Sequence, residues 1–342
     1  MHPGPAGPQI TPEGLLRLGF GFMASKTFLS AVEIGLFTEL AKGPLSAEAV
    51  GERLGLHPRV RLDFLDTLVA LGMLRREHGL YSNTPETDLF LDRAKPSYVG
   101  GILEMFSARM FGYWSTFTEA LRTGEPQNET KTGQKDFFAD TYSDPGRLRQ
   151  FLTAMCGLSL PGAMAMARKF PWENYKTFAD VGCAMGCVPV QIALAHPHLN
   201  GIGFDLPPVR PVFEEYVASY RLAGRVHFQP GNFFEDPLPN VDVIVMGRVL
   251  HDWDLATKKR LIQKAYDALP PGGAFIVCET LIDDDRSQNV PAFLISLNML
   301  IETPGGFDYT GADGQRWMKE VGFRETRSEP LAGVDAMVVG IK

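Results

Sequence analysis

The sequence predicts an α/β protein: a mostly parallel sheet with helices on both faces, preceded by a mainly helical winged-helix domain. Three observations carry this. From residue 175, apolar runs of strand length alternate with helix-length runs, the βαβ rhythm of a parallel sheet. The closing stretch WMKEVGFRETRSEPLAGVDAMVVGIK reads as a helix and two strands, an antiparallel finish to that sheet. Before them, residues 15–93 read as helices, a helix–turn–helix pair and a small hairpin. The expected division is 1–100 for the winged-helix domain, 101–170 for a helical linker and 171–342 for a Rossmann-like domain.

Each element has a local warrant. Residues 15–40 carry apolar side chains at helical spacing, broken at Gly19, Gly21 and Gly35. Ser46 precedes the next helix as an N-cap with Glu48 in the first turn, and Phe64, Leu65, Leu68, Val69 and Leu71 share a broad face of the helix after it. His78 and Gly79 turn the hairpin. From 98 to 170 the chain is helical again and rich in Met105, Phe106, Met110, Phe111, Tyr113, Trp114, Phe151 and Met155. Most of these build core, and the rest suit the wall of an apolar acceptor pocket. The polar stretch 123–136 reads as an exposed loop.

With 342 residues, 45% of them hydrophobic, the chain has the material for two cored domains. Its N-terminal stretch lacks a basic region followed by an apolar core, and no run approaches the roughly 20 apolar residues that span a bilayer, which predicts a cytoplasmic protein without a membrane partner. Cys156, Cys183, Cys187 and Cys278 form neither a disulfide framework nor a zinc spacing, so no metal is expected. The acids of LIDDDRSQN read as a solvated turn. The net charge of −7 disfavours nucleic acid. Residues 42–93 hold seven Lys or Arg against eight Asp or Glu, which points the winged helix toward packing or dimerisation and away from DNA.

The chemistry collects at strand ends, where open α/β sheets bind ligands. The first strand runs into Asp180-Val-Gly182-Cys-Ala-Met-Gly186, a tight turn leading to a helix. Asp205 ends the second, about twenty residues on, where a carboxylate accepts ribose hydroxyls. Gly231, Asn232, Phe233 and Phe234 follow the third and suit the framing of an adenine. The fourth ends in Gly247 and Arg248 and leads to His251-Asp252-Trp253.

Taken in order with FLTAMCGLS, FDLP, GNFF, LHDWD, ALPPGG and ETPGG, these segments resemble, over nearly the whole chain, the S-adenosylmethionine-dependent small-molecule O-methyltransferases of the caffeate, hydroxyindole and bacterial natural-product type. The resemblance implies a Rossmann-like methyltransferase domain, a winged-helix module that forms a homodimer, and intervening helices that help build the acceptor pocket. It implies S-adenosylmethionine as cofactor, with Gly182 near its methionine part, Asp205 at the ribose and Phe233 at the adenine ring, and with Leu206, Gly231, Asn232, Phe234, Gly247, Arg248 and Ser159 as further cofactor contacts. Met105, Phe151, Met155, Asp252 and Met299 then fall to the acceptor, His251 to the general base, and Glu279 and Asp308 to the carboxylates that flank it. The chain departs from the family pattern at Ala184, where a glycine is usual, at Asn232, where an acid is usual, at Gly247 and Arg248, where a lysine and a tryptophan are usual, and at Asp308, a shortened glutamate. Alanine at 184 is harmless at negative φ and costs about 1 kcal/mol otherwise.

The expected reaction is O-methylation of a small, planar, largely apolar acceptor. A phenol with a pKa near 10 needs a base, and an imidazole near 6.5 suits the task. Methyl transfer to carbon or nitrogen, other chemistry over the same cofactor, and a winged-helix regulator are the alternatives.

Overall fold

The computed structural model describes residues 10–95, 97–132 and 141–342. The chain divides into two compact units, up to Met110 and from Phe111 onward. In the first, helices α1 (Glu13–Gly19), α2 (Gly21–Glu33) and α3 (Leu36–Leu40) break at the glycines of the sequence, and Gly35 turns at φ +75°. Then come β1 (Leu45–Ser46), α4 (Ala47–Leu54), α5 (Arg61–Ala70), β2 (Leu74–Glu77), β3 (Leu80–Asn83), α6 (Pro85–Leu91) and α7 (Gly100–Met105). Ser46 caps α4 by accepting the Ala49 amide at 3.2 Å. His78 and Gly79, both at positive φ, close the β2–β3 hairpin. Leu65 and Leu68 are fully buried, but Leu71, expected on the same face, is 39% exposed because it stands at the end of α5.

The second unit opens with α8 (Phe111–Trp114), α9 (Phe117–Thr123) and the long α10 (Pro145–Lys169). There follow β4 (Thr177–Val181), α11 (Cys187–Ala195), β5 (Asn200–Asp205), α12 (Arg210–Ser219), β6 (Val226–Pro230), β7 (Val243–Gly247), α13 (Leu255–Ala268), β8 (Ala274–Thr280), α14 (Val290–Glu302), α15 (Gly311–Val321), β9 (Glu325–Pro330) and β10 (Asp335–Ile341). The seven strands order as β6-β5-β4-β7-β8-β10-β9, with β10 antiparallel to both neighbours. Strand order reverses between β4 and β7, so their carboxyl ends flank the crevice where such sheets bind ligands. Two apolar cores sandwich the sheet, one around Ile244, Met246, Phe275 and Trp317, the other around Trp172, Val245, Ile276 and Met337.

Two sequence expectations need correction here. Residues 13–33 and α10 are each long and apolar enough, by length and composition, to cross a membrane. Their apolar residues alternate with small and polar ones, which hid the runs in the sequence, and α10 buries Leu148, Leu152, Ala163 and Met166 in the protein. Nor is the polar stretch after α9 wholly exposed: Gln127 and Asn128 are 3% exposed, the Gln127 amide donating to the Ile301 carbonyl and Asn128 Nδ2 to that of Glu302. Carbonyls at the end of α14 lack the next helical turn to donate to them, and the Gln127 backbone amide and the Asn128 side chain take that place. Residues 133–136 of that stretch lie outside the described residues.

Candidate active site

The turn after β4 sits at the crevice. Gly182 has φ +78°, and a Cβ there would stand 2.7 Å from Val249, so only glycine keeps this approach. Ala184 also has positive φ, +48°, so it is a strained non-glycine in the loop. The Ala184 amide donates to Asp205 Oδ2 at 2.9 Å and the Leu206 amide to Oδ1 at 2.8 Å, so one carboxylate ties the loop after β4 to the end of β5. Asp205 is buried, and burial raises its pKa to about 6 against the pull of those two amides. Its oxygens therefore retain room for further donors, which suits a diol.

After β6, Gly231 donates its amide to the Asp205 carbonyl. Asn232 organises its own turn: its amide donates to Asp236 and its Oδ1 accepts the Phe234 amide at 2.9 Å. Phe233 and Phe234 pack edge to face with each other and with Trp253, and Lys264 Nζ holds the Phe233 carbonyl at 2.7 Å. Gly247 closes β7, half-buried. Arg248 turns at φ +53°, its guanidinium binds Asp335 on β10 at 2.7 Å, and its backbone amide donates to the Cys278 carbonyl on β8. Phe151, Met155 and Ser159 are half-buried on α10, and Phe151 packs in the cluster that contains Ala184 and Met185. Met299 is buried on α14; Met105 is half-buried on α7, in the first unit.

His251 follows β7 on a tight turn, Leu250–Asp252. Glu279, fully buried on the adjacent β8, accepts the amides of Val249 and His251 on its Oε1, at 3.1 and 3.2 Å. The imidazole is oriented instead by Asp308, whose Oδ1 lies 3.1 Å from Nδ1. Gly306 makes that possible: a Cβ there would meet the His251 carbonyl at 2.7 Å, so the loop carrying Asp308 can lie against the turn. On the other side Nε2 is 3.4 Å from Asp252 Oδ1. Burial pulls the imidazole's proton affinity down, but Asp252, the hydrogen bond to Asp308, and Glu279 outweigh it and raise the pKa to about 9. The ordinary imidazole value expected from sequence therefore does not hold in this acidic cluster.

The sequence reading passed over two residues. Tyr142 is set among Asp205, Cys183 and Asp252, and burial followed by those charges holds its phenol protonated. Lys258 is fully buried on α13; its signal was a charge in line with Leu261, Ile262 and Ala265 at apolar-face spacing. In the acidic loop, Asp283 accepts the amides of Ser287 and Asn289, so one of its three acids organises the turn.

Residues 114–324 match the O-methyltransferase domain family, and residues 16–93 the O-methyltransferase dimerisation domain. The chain is 41% identical to the tetracenomycin polyketide synthesis 8-O-methyl transferase TcmO of Streptomyces glaucescens, over 97% of both chains. It is 34% identical to the N,N-dimethyltransferase OxyT of Streptomyces rimosus, over 99% of this chain and 98% of that one. Among solved structures it is similar to human N-acetylserotonin methyltransferase in complex with SAM, with a TM-score of 0.90, 26% identity, and 98% and 99% of the two chains covered.

Proposed function

Since the chain belongs to the S-adenosylmethionine-dependent O-methyltransferase family, we propose that it methylates a hydroxyl of a small aromatic, polyketide-like acceptor with His251 as general base. The single observation that carries this is the imidazole held by Asp308 beside the crevice at which the Gly182 turn and Asp205 meet.

The residues at that crevice fit the cofactor. Asp205, with lone pairs to spare, would take the ribose hydroxyls, the Gly182 turn would admit the methionine part, and Leu206, Gly231, Asn232, Phe233 and Phe234 would enclose the adenine. Gly247, the Arg248 backbone and Ser159 complete that wall. When bound, the sulfonium supplies an electrophilic methyl group. Phe151, Met155 and Met299 would line the acceptor site, and Asp252 would face its hydroxyl.

In this reading Nε2 of His251 removes the hydroxyl proton and Asp308 stabilises the imidazolium that forms. A histidine raised to about 9 is charged at neutral pH, so turnover rises with pH toward that value. Its proton affinity also approaches that of a phenol near 10, which favours the transfer.

The dimerisation-domain match and the exposed Leu15, Leu18 and Phe20 support a homodimer through the N-terminal unit. We also read that unit as a winged helix, from the α4–α5 pair and the hairpin after it. Four free cysteines suit a reducing cytoplasm. A second reading, transfer to an amine, is favoured by the similarity to OxyT.

A screen of phenolic and amine acceptors with S-adenosylmethionine, run beside His251→Ala, tests the proposal. The variant should lose about 10²–10⁴ in turnover while cofactor affinity by calorimetry stays nearly unchanged. Near-normal turnover of the variant on a phenol would reject His251 as base; turnover confined to amines would favour the second reading.

A further inference from the structure

A fully buried lysine needs a reason, because an ammonium taken out of water without a counter-charge is unfavourable by many kcal/mol. Lys258 lies in the apolar stripe of α13 with Leu261, Ile262 and Ala265, at 0% exposure. Its Nζ donates to the carbonyl of Trp253, two residues beyond His251, and stands 3.5 Å from the centroid of the Phe307 ring, next to Asp308. The charged and titratable groups around it come from every neighbouring element: Glu279 on β8, Asp308 in the loop before α15, Asp252 on the His251 turn, and Asp254 at the cap of its own helix. Tyr309 also presents its ring, at 5.8 Å.

We propose that Lys258 is a positioning residue for His251: its ammonium is the counter-charge of the Asp252, Glu279 and Asp308 cluster, and its hydrogen bond fixes the carbonyl end of the turn that carries the imidazole. The inference rests on the reading of His251 as the base. Without the ammonium, three carboxylates would crowd one imidazole, and the neutral ring would be reached only at higher pH. Burial draws the Lys258 pKa down to about 8 against the pull of Glu279, Asp308, Asp252 and Asp254, so the side chain is charged at neutral pH.

Two substitutions separate its parts. Lys258→Met keeps the stripe filled and removes charge and donor; Lys258→Gln removes the charge and keeps a donor for the Trp253 carbonyl. Both should move the ascending limb of the pH–turnover profile up by about one unit, and should move the His251 imidazole titration, followed by NMR without substrate, in the same direction. A folded pair of variants with neither shift would overturn the proposal, and so would a Gln variant with the wild-type profile, since the hydrogen bond alone would then suffice. If His251 is not the base, the turnover profile stays put while the imidazole titration still moves, so the two readings fail separately. Should both variants fail to fold, the ammonium is read in the wild-type protein by NMR of the lysine Nζ: a protonated Lys258 at pH 7 supports the proposal, and a neutral amine there overturns it.

Discussion

Nδ1 of His251 lies 3.1 Å from Oδ1 of Asp308, while Glu279, the other carboxylate of the pair, grips the backbone amides of Val249 and His251. One acid thus acts on the ring and the other on the turn that presents it. Their substitutions should separate along the same line.

Asp308→Asn keeps the shape and removes the charge. The imidazolium loses its nearest stabiliser, so turnover should fall about 10–100-fold. The carboxylate also helps raise His251 to about 9, so the ascending limb of the pH–rate profile should move to lower pH. A limb that stays in place would mean that Asp308 does not set the basicity of the group being titrated.

Glu279→Ala should act first on stability. It leaves two buried amides without an acceptor, and each orphaned donor is unfavourable by about 1–3 kcal/mol. Urea unfolding should show a loss of about 2–4 kcal/mol, with a smaller loss for Glu279→Gln, whose amide oxygen can still accept. If Glu279→Gln were instead as stable as wild type but inactive, the carboxylate would be working on the reaction and not on the turn.

Much of this was legible in the sequence, for identifiable reasons. The breaks at Gly19, Gly21 and Gly35, the Ser46 cap and the His78-Gly79 turn are local chemistry, and local chemistry is written in adjacent residues. The central strands β4, β7 and β8 were equally readable, because parallel strands buried on both faces need continuous apolar runs. Long-range pairing was not readable. Nothing near Arg248 announces Asp335, which lies 87 positions away, and nothing near His251 decides between Asp308 and Glu279. The backbone sign at Ala184 was likewise open, since both signs of φ satisfy the same sequence.

That sign has a measurable consequence. Ala184 sits at φ +48°, a conformation that glycine adopts without the clash a Cβ brings. Its amide is held by Asp205, so the loop cannot relax to negative φ without giving up that bond. Ala184→Gly should raise stability by about 0.5–1 kcal/mol, the relief of strain exceeding the added freedom of the unfolded chain. Thermal unfolding would check this, and a lower melting temperature would show that the alanine methyl contributes packing beside Phe151 and Met185 that outweighs the strain.

The buried titratable groups give the ligand-free protein a defined pH response. His251 is raised to about 9, so the native state holds a proton that the unfolded chain releases near 6.5; that contribution is complete below pH 6.5 and is lost as pH rises through 9. Asp180 has the same sign, because burial, and then the charge of Asp205, raise it to about 8, so it too keeps its proton in the native state alone. Lys258, lowered to about 8, begins to act in the opposite direction only above that pH, when the native state gives up a proton that the unfolded chain keeps. Between pH 6.5 and 8 the native state therefore binds more protons than the unfolded one, and stability should fall by roughly 1–2.5 kcal/mol per pH unit. Denaturant midpoints across this window should decline, and His251→Ala should flatten the decline by about half, leaving the part due to Asp180. A His251→Ala slope equal to that of the wild type would mean that the imidazole titrates near its ordinary value in the folded protein, and the acidic cluster around it would then have to be partly protonated at neutral pH.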